Sequence, residues 1–460
     1  MSEHKLDKAY PKHQLGRYKN LKNVTSVVLQ LILFVTPWIN WKGRQMVLLD
    51  VPGRKLHLFE WTFWPQETHF IFLMLVMAGI TLFFVTSLLG RIWCGYACPQ
   101  TLLSHSFIMV ERLVEGDRYK RMKLERGPWN SEKISKMLTK WSIWFAMSVF
   151  LGLTFAGYYT PIRPLFADFI SGHAQPGTLL FIGFFTVVSL FFFGFLRGRF
   201  CNTMCPYARF QGAMFDRDTV MVNYDMVRGE PRGKLKDPKA ADCIDCSMCV
   251  QVCPQNIDIR NGVQFECINC GACADACDSV MERVGQPLGL IRYASEAEIE
   301  GDKTRLVRGR PIAYAVALTA LFSVFMLLLF GRIPLELDVV RADKDGVASQ
   351  AVDGRVSNRY KVRIINKENP QMKVSLSLEG FDEAELVSPH NPVTVPAESS
   401  EVVQVFVLVD EEKTPAVKRF FLVASAASDP NSQRRVETTF IRANIRGVAE
   451  IENGCCTGTR

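Results

Sequence analysis

The chain has 460 residues, 48% of them hydrophobic and 22% charged, with a mean hydropathy of +0.08. Apolar and charged residues are segregated into runs, and several uncharged runs are long enough to cross a bilayer, which excludes an ordinary soluble enzyme. Disordered and fibrous classes are excluded by the same composition, and the formal net charge of +8 finds its reason in membrane topology rather than in nucleic-acid binding.

Five runs read as membrane helices: 24–41, 70–90, 141–159, 178–196 and 311–330. Each is about as long as a helix needs to cross roughly 30 Å of hydrocarbon. Trp38, Trp41, Trp141, Trp144, Tyr158 and Tyr159 lie near their ends, where amphipathic rings favour the interface. The first run is too long for a cleaved signal peptide, and no small-residue cleavage site follows it. Lys plus Arg number 6 in residues 1–23, 4 in 42–69, 10 in 91–140, 1 in 161–177 and 16 in 197–310. Basic and poor segments alternate as the positive-inside rule demands. The N-terminus, 91–140 and 197–310 are therefore expected in the cytoplasm, and residues after about 332 outside, in a bacterial periplasm.

Twelve of the fourteen cysteines fall in four short clusters, Cys94 and Cys98, Cys201 and Cys205, 243–253, and 267–277. Such gaps are ligand spacing rather than the scattered pattern of a secreted disulfide framework. The motif after the second apolar run is W-C-G-Y-A-C-P, and after the fourth it is F-C-N-T-M-C-P. Both contain C-x3-C-P just past an apolar run and follow a Gly-Arg pair, with Cys201 offset by 107 positions from Cys94, so a two-helix unit is repeated. Cysteines four apart are expected on one helix face, with the proline at a helix boundary. Brought together, Cys94, Cys98, Cys201 and Cys205 would suit a soft metal such as Cu(I), or a third iron–sulfur site. Their alternative role is as small buried hydrophobes. Met204, inside the second motif, would add a thioether.

Residues 243–254 read C-I-D-C-S-M-C-V-Q-V-C-P, and 267–278 read C-I-N-C-G-A-C-A-D-A-C-D, with Asp278 in the place usual for proline. This double C-x2-C-x2-C-x3-C pattern resembles a bacterial two-cluster ferredoxin. A tight loop supplies three thiolates to a cubane, and in that arrangement the fourth cysteine of each run serves the other cluster. The resemblance implies one [4Fe–4S] cluster on Cys243, Cys246, Cys249 and Cys277, and another on Cys267, Cys270, Cys273 and Cys253. Zinc is the alternative occupant of C-x2-C pairs.

Other candidates carry weaker signals. His57, His69 and His173 fall on the expected outer side, and Met74 and Met77 near the outer end of the second run. His105 lies seven residues after Cys98, near the cytoplasmic face. Cys455 and Cys456 adjoin in the C-terminal tail, where metal binding competes with simple disorder. After the fifth run, stretches beginning at Tyr360, Val374, Val402, Phe420 and Val436 alternate or are rich in β-branched residues, separated by Asn369-Pro370, Asn391-Pro392 and Asp429-Pro430. Short strands at this spacing point to an immunoglobulin-like β-sandwich. It carries no catalytic constellation, and His390 falls in an expected turn.

The expected whole is a multidomain membrane protein. It has a basic cytoplasmic N-terminus (1–23), a four-helix membrane domain with both C-x3-C-P motifs (24–210), an inserted α+β ferredoxin domain (211–310), a fifth membrane helix (311–331) and a periplasmic immunoglobulin-like domain (332–460). This order, with the run from Trp93 to Gln100 and the double ferredoxin motif, resembles the cytochrome c oxidase accessory proteins called CcoG, FixG or RdxA. The membrane portion is also similar to the NapH and NosR ferredoxin-type proteins. The first resemblance implies reduction of Cu(II) to Cu(I) for the copper centre of cbb3-type oxidase in the bacterial inner membrane. Cys94, Cys98, Cys201 and Cys205 would be copper or electron-transfer ligands, and hence the catalytic set. The implied partners are copper ions, oxidase assembly factors or a copper transporter, and a cytoplasmic electron donor, because no nucleotide-binding motif opens a strand–helix unit here. The second resemblance implies a membrane electron conduit, and a non-enzymatic assembly scaffold is a further alternative.

Overall fold

Five long apolar helices form, at Arg17–Val35, Thr68–Leu89, Ser131–Ala156, Pro176–Ser189 and Gly309–Phe330, each long and apolar enough, with its short flanking turns where present, to cross a membrane. A computed structural model describes residues 10–442, apart from 236, 343–348, 351–354, 369, 411–416 and 428. Cys455 and Cys456, and the Asn369 of the first Asn-Pro pair, lie outside the described residues. The chain divides into two units, Met1–Met326 and Leu327–Arg460.

The helix ends differ from the hydropathy boundaries for local reasons. The first helix starts at Arg17 rather than at 24, so Lys19 and Lys22 belong to it, and it stops at Val35 because Pro37 turns the chain into a 3-10 segment, Thr36–Trp38. The third starts at Ser131 rather than at 141. Asn130 caps it, its side chain accepting the Lys133 N–H at 2.9 Å, a favourable cap. The fourth starts with Pro176 in its first turn and continues as π-helix over Leu190–Leu196. Between the first two long helices the chain makes an antiparallel sheet of Val47–Asp50, Lys55–Leu58 and Trp61–Phe63. Hydropathy gave no sign of it, because such short strands have no room for a period-2 pattern.

Polar side chains sit at one end of this bundle in a buried ion network. The Glu111 carboxylate, 0% exposed, accepts from Arg121 at 3.1 Å and from Arg197 at 2.9 Å. Lys140 stands 3.9 Å from Glu111 and 2.5 Å from Glu115. Thus the helix Pro99–Glu115, the third long helix and the end of the fourth meet at one carboxylate.

The ferredoxin segment has its own core. Strands Met221–Tyr224 and Ile291–Ala294 pair antiparallel. Val222, Tyr224, Ile259, Ala274, Met281 and Ile291 pack around them, with Cys243 and Cys249 among the buried residues. The helix Ala272–Val284 carries Cys273 and Cys277.

The second unit is a β-sandwich. One sheet runs Ala384–Val387, Ser400–Asp410, Arg355–Asn366, Leu335–Arg341, with Ser349–Gln350 also on Arg355–Asn366. The other runs Val393–Val395, Met372–Glu379, Val417–Ala426, Asp429–Ile441. All pairings are antiparallel. Strict alternation on Met372–Glu379 sends Met372, Val374 and Leu376 inward, as a half-buried strand requires. The Tyr360 hydroxyl crosses to the other sheet and donates to the Thr439 carbonyl at 2.8 Å. This is the expected immunoglobulin-like sandwich, with one difference: Asp429-Pro430 opens the last strand instead of turning the chain. His390 is exposed, as expected for a turn.

Removing one charge from the buried network leaves the opposing cations unpaired. Glu111→Gln should cost about 3–5 kcal/mol and lower the thermal midpoint of the detergent-solubilised chain, followed by tryptophan fluorescence. Glu132→Gln, which loses only an exposed helical pair with Lys136, should leave that midpoint unchanged.

Candidate metal centre and electron-transfer site

The two C-x3-C-P motifs adopt the same backbone. After the second long helix, Gly90 has φ 56 and ψ −133; after the fourth, Arg197 has φ 47 and ψ −125. These positions differ by the same 107 residues as the cysteines, so Arg197 and not Gly198 is the counterpart of Gly90. The alignment of Gly-Arg pairs is thereby corrected. A non-glycine residue at such a φ costs of order 1–3 kcal/mol. Arg197 offsets this by bonding Gly194 O through Nε at 2.8 Å and pairing with Glu111.

Each motif then forms one short turn and breaks. Cys94 lies in the helix Ile92–Tyr96, while Cys98 is extended and Pro99 begins the next helix. Cys201 lies in the π-helical turn Phe200–Met204, while Cys205 is extended and Pro206 begins Pro206–Gln211. The expectation of both cysteines on one helix face is therefore corrected. Proline disfavours a helical conformation at the preceding residue, and so each pair straddles a break.

This geometry brings the four thiols into electrostatic reach of one another. Burial pushes Cys201 up to about 12, with Cys98, Cys94 and Cys205 adding to it and Arg91 opposing it. Burial likewise pushes Cys94 up to about 11. Cys94 Sγ lies 3.7 Å from Gln211 Oε1. Around these thiols several buried polar atoms have no protein partner: Arg91 Nε, Gln211 Nε2 and Asn202 Oδ1. Two of them are donors, on residues that neighbour Cys94 and Cys201. That donor set fits an electron-rich centre held by the thiols, since unsatisfied buried donors are costly.

The first motif is packed directly against the second ferredoxin run. A Cβ on Gly95 would stand 2.7 Å from the Ile268 carbonyl oxygen and 3.0 Å from that of Asn269, so only glycine permits this approach. Tyr96 Oη donates to Cys270 O at 3.1 Å, and Tyr293 Oη to Asn269 O at 2.6 Å. Asn269, 1% exposed, donates to Leu89 O at 3.0 Å and accepts from the Val222 N–H at 2.7 Å. Arg91 bridges the same junction, donating to the Phe265 and Ala208 carbonyls.

Electrostatic neighbours link the thiols of the two ferredoxin runs. Cys277 is pushed up to about 12 by burial, with Cys249, Asp278, Cys246 and Cys243 adding to it. Cys267 is pushed up to about 12 by burial, with Cys270 and Cys253 adding. Cys273, also raised by burial, neighbours Cys267, Cys270 and Cys253 before Cys249. Cys249, Cys253, Cys267, Cys270 and Cys273 line a common cavity. Among the described residues no three His, Cys, Asp or Glu side chains close into a set for a single metal ion, at the membrane-edge thiols or at the ferredoxin ones. A lone zinc gathers its four sulfurs to roughly 3.8 Å of each other, whereas a cubane spreads them over separate irons. Buried thiols resist ionisation, and bound iron supplies the positive charge that stabilises thiolate there. The donor set therefore fits iron–sulfur clusters. Asp278, in the usual proline position, continues the helix Ala272–Val284 past Cys277, so the expected turn is absent, and its carboxylate accepts the Gly289 N–H at 2.9 Å.

The remaining candidates are placed elsewhere. His105 Nε2 stands 3.2 Å from Lys19 Nζ and from Asn23 Oδ1. His57 Nδ1 bonds Thr62 at 2.9 Å in the small sheet, His69 stacks on Phe70, and His173 pairs with Ser171 in the connection before Pro176. Met74 and Met77 lie half-buried on the second long helix, and Met204 is exposed. Sequence reading missed Arg91, Gln211, Asn269 and the N-terminal segment. The N–H groups of Tyr18 and Lys19 donate to the Asp275 carboxylate at 3.2 and 2.8 Å, so a residue between Cys273 and Cys277 holds the start of the first long helix. A Cβ on Gly16 would clash with Asp275. The one sequence signal for this was an acid in a ferredoxin helix, which has no reason by itself to point at a helix 256 residues away.

The glycine junction can be tested by volume. Gly95→Ala should cost about 1–3 kcal/mol, as overpacking against backbone does, and speed the heat-induced loss of cluster absorbance. Gly79→Ala, where an added Cβ meets nothing within 4 Å, should not.

Comparison with known proteins agrees with this architecture. Residues 196–296 match the family described as a 4Fe-4S dicluster domain, 70–114 a 4Fe-4S binding domain, and 325–443 the immunoglobulin-like fold at the C-terminus of FixG. Protein RdxB of Cereibacter sphaeroides is 38% identical over 443 residues, 90% of this chain and 91% of that one. Nitrogen fixation protein FixG of Rhizobium meliloti is 36% identical over 484 residues, 94% and 91%. Protein RdxA of Cereibacter sphaeroides is 36% identical over 385 residues, 81% and 82%. A crystal structure of a FixG-related protein from Vibrio parahaemolyticus covers 24% of this chain and 96% of that one, at 21% identity and a TM-score of 0.22. With these lengths and identities, and with two [4Fe–4S] clusters called for by its dicluster domain, the chain belongs to the FixG/RdxA family of membrane iron–sulfur electron-transfer proteins.

Proposed function

We propose that this protein reduces Cu(II) to Cu(I) at Cys94, Cys98, Cys201 and Cys205, for the copper centre of a cbb3-type oxidase in the bacterial inner membrane. The observation that carries the reading is the junction of Gly95, Tyr96 and Arg91 with the second ferredoxin run, which packs the loop bearing Cys94 and Cys98 against the loop bearing Cys267 and Cys270. One cluster would be held by Cys243, Cys246, Cys249 and Cys277, the other by Cys253, Cys267, Cys270 and Cys273. The clusters supply one-electron storage and transfer at low potential. Each Cu(II) takes one electron and no proton. The four thiols favour the soft Cu(I) product, with the Gln211 amide oxygen against Cys94 Sγ and the Arg91 guanidinium adding positive charge beside Cys94 and Cys201. The alternation of basic and poor segments supports a cytoplasmic position for this end and a periplasmic one for the sandwich. A cytoplasmic donor supplies the electrons, and an oxidase assembly factor or copper transporter takes the Cu(I).

One observation favours a second reading. The 4Fe-4S binding match at 70–114 contains Cys94 and Cys98 alone, too few for a cubane without Cys201 and Cys205. A third cluster there would make the protein a conduit to a periplasmic acceptor.

The two readings separate in one anaerobic experiment. Purified protein is assayed for iron and sulfide, reduced with dithionite, desalted, and mixed with Cu(II) and a Cu(I)-trapping chelator. The reductase contains about eight irons, re-oxidises with stoichiometric Cu(I), and loses that reaction but not its iron in Cys94→Ser and Cys201→Ser. About twelve irons, falling to about eight in those variants, would establish the conduit. Clusters that stay reduced while Cu(II) persists would overturn the reductase. In the reductase, Gln211→Leu should weaken copper binding by roughly 10–100-fold, the usual effect of losing a group that orients a ligand.

A further inference from the structure

A cavity of about 1240 Å³ lies beside this junction, bounded by residues 11–14, the first long helix, the helix Pro99–Glu115, the 194–203 segment and part of the ferredoxin domain. Cys201 and Cys270 are both on its wall. Its lining includes the apolar side chains of Val27, Ile108, Met109, Trp141 and Phe195. Among its basic side chains are His13, Lys19, Lys22, His105 and Arg112.

These bases act on one another. His105 is pushed down to about 3 by burial, then by Lys19, Lys22, Arg112 and His13. His13 is lowered by burial, Arg112 and Lys19, with Asp117 opposing. Lys22 is 9% exposed. Among the described residues neither Lys22 nor Arg112 has an ion-pair partner. Of the wall's other cations, Arg121, Lys140 and Arg197 are paired with Glu111 and Glu115, Arg199 is also engaged, and Lys12 donates to Met248 Sδ at 3.6 Å. The wall's carboxylates give little relief. Asp258 is taken by Arg260 and Asp275 by the Tyr18 and Lys19 N–H groups, while Glu266 is exposed. Like charges gathered in a partly desolvated space are costly without a counter-ion. A bare inorganic anion would leave most of this volume unfilled and its apolar lining uncovered.

We propose that this cavity binds a phosphate group carried on an apolar or aromatic body, the phosphate on Lys19, Lys22 and Arg112 and the body against Val27, Ile108 and Trp141. Two sources share that chemistry. One is an anionic phospholipid, for which basic pockets between membrane helices are a recurrent site. The other is a phosphate-bearing flavin, which would put a two-electron carrier beside Cys201 and Cys270. The site stands whether or not the copper reading does.

The test uses the full chain. In detergent, flavin mononucleotide is titrated against riboflavin, which lacks the phosphate, by fluorescence quenching. In nanodiscs, dioleoylphosphatidylglycerol is compared with the phosphatidylcholine analogue by thermal midpoint and by native mass spectrometry of retained lipid. One of the phosphate-bearing probes should bind saturably at one per chain and in preference to its comparison. Tight flavin mononucleotide assigns the flavin, and selective retention of phosphatidylglycerol assigns the lipid. Lys22→Gln and Arg112→Gln, each checked for unchanged iron content, should weaken that binding about tenfold, as losing one charge-assisted contact does. Lys418→Gln, in the β-sandwich, should not. Failure of both probes to outdo their comparisons would overturn the proposal, as would undiminished binding in an iron-replete Lys22→Gln or Arg112→Gln protein.

Discussion

The electron path depends on one close approach of backbone to backbone. Gly95 lies between two cysteines of the membrane-edge set, and its Cα faces the carbonyls of Ile268 and Asn269, between two cysteines of the ferredoxin set. No side chain intervenes. Around that contact the protein places hydrogen bonds rather than apolar bulk, from Tyr96, Tyr293, Asn269 and Arg91. Buried, fully bonded polar groups fix register more tightly than apolar packing, which tolerates sliding. A relay between fixed stations needs that register. The two repeated motifs are in turn held by the Glu111 carboxylate, which Arg197 of the second repeat and Arg121 and Lys140 of other elements share.

The fold was largely legible because its signals are local. Twenty-residue apolar runs, the spacing of eight cysteines and the alternation of strands such as Met372–Glu379 each report on their own neighbourhood. The membrane-edge cysteines were legible as a repeat, but their backbone was not. Pattern reading put Cys94 and Cys98 on one helix face, and proline at 99 set the second of them in extended conformation. The Gly-Arg pairs that looked equivalent are one position out of step, and only the left-handed turns at Gly90 and Arg197 reveal the true correspondence.

What was not legible is long-range and polar. Arg91 reads as one more topogenic charge, and nothing near it in sequence announces carbonyls at 208 and 265. Gln211 and Asn269 are ordinary amides until burial strips them of water. The cavity bases His13, Lys19, Lys22, His105 and Arg112 come from two helices and an N-terminal stretch that composition counts only as positive charge. Their meaning comes from which carboxylates are already engaged elsewhere, and that is a property of the folded chain.

The hold of Asp275 on the first long helix has a consequence in time. Tyr18 precedes Asp275 by 257 residues. At ribosomal rates of about 5–20 residues per second, the helix start emerges roughly 13–50 s before the carboxylate that receives it. Throughout that interval the first helix enters the bilayer with its leading N–H groups served by water. Its final seat is reached only when the segment from Cys273 to Cys277 has been made and folded. The N-terminus thus becomes a reporter of completion: protease access near Tyr18 belongs to the nascent chain and closes as the last part of the ferredoxin domain folds.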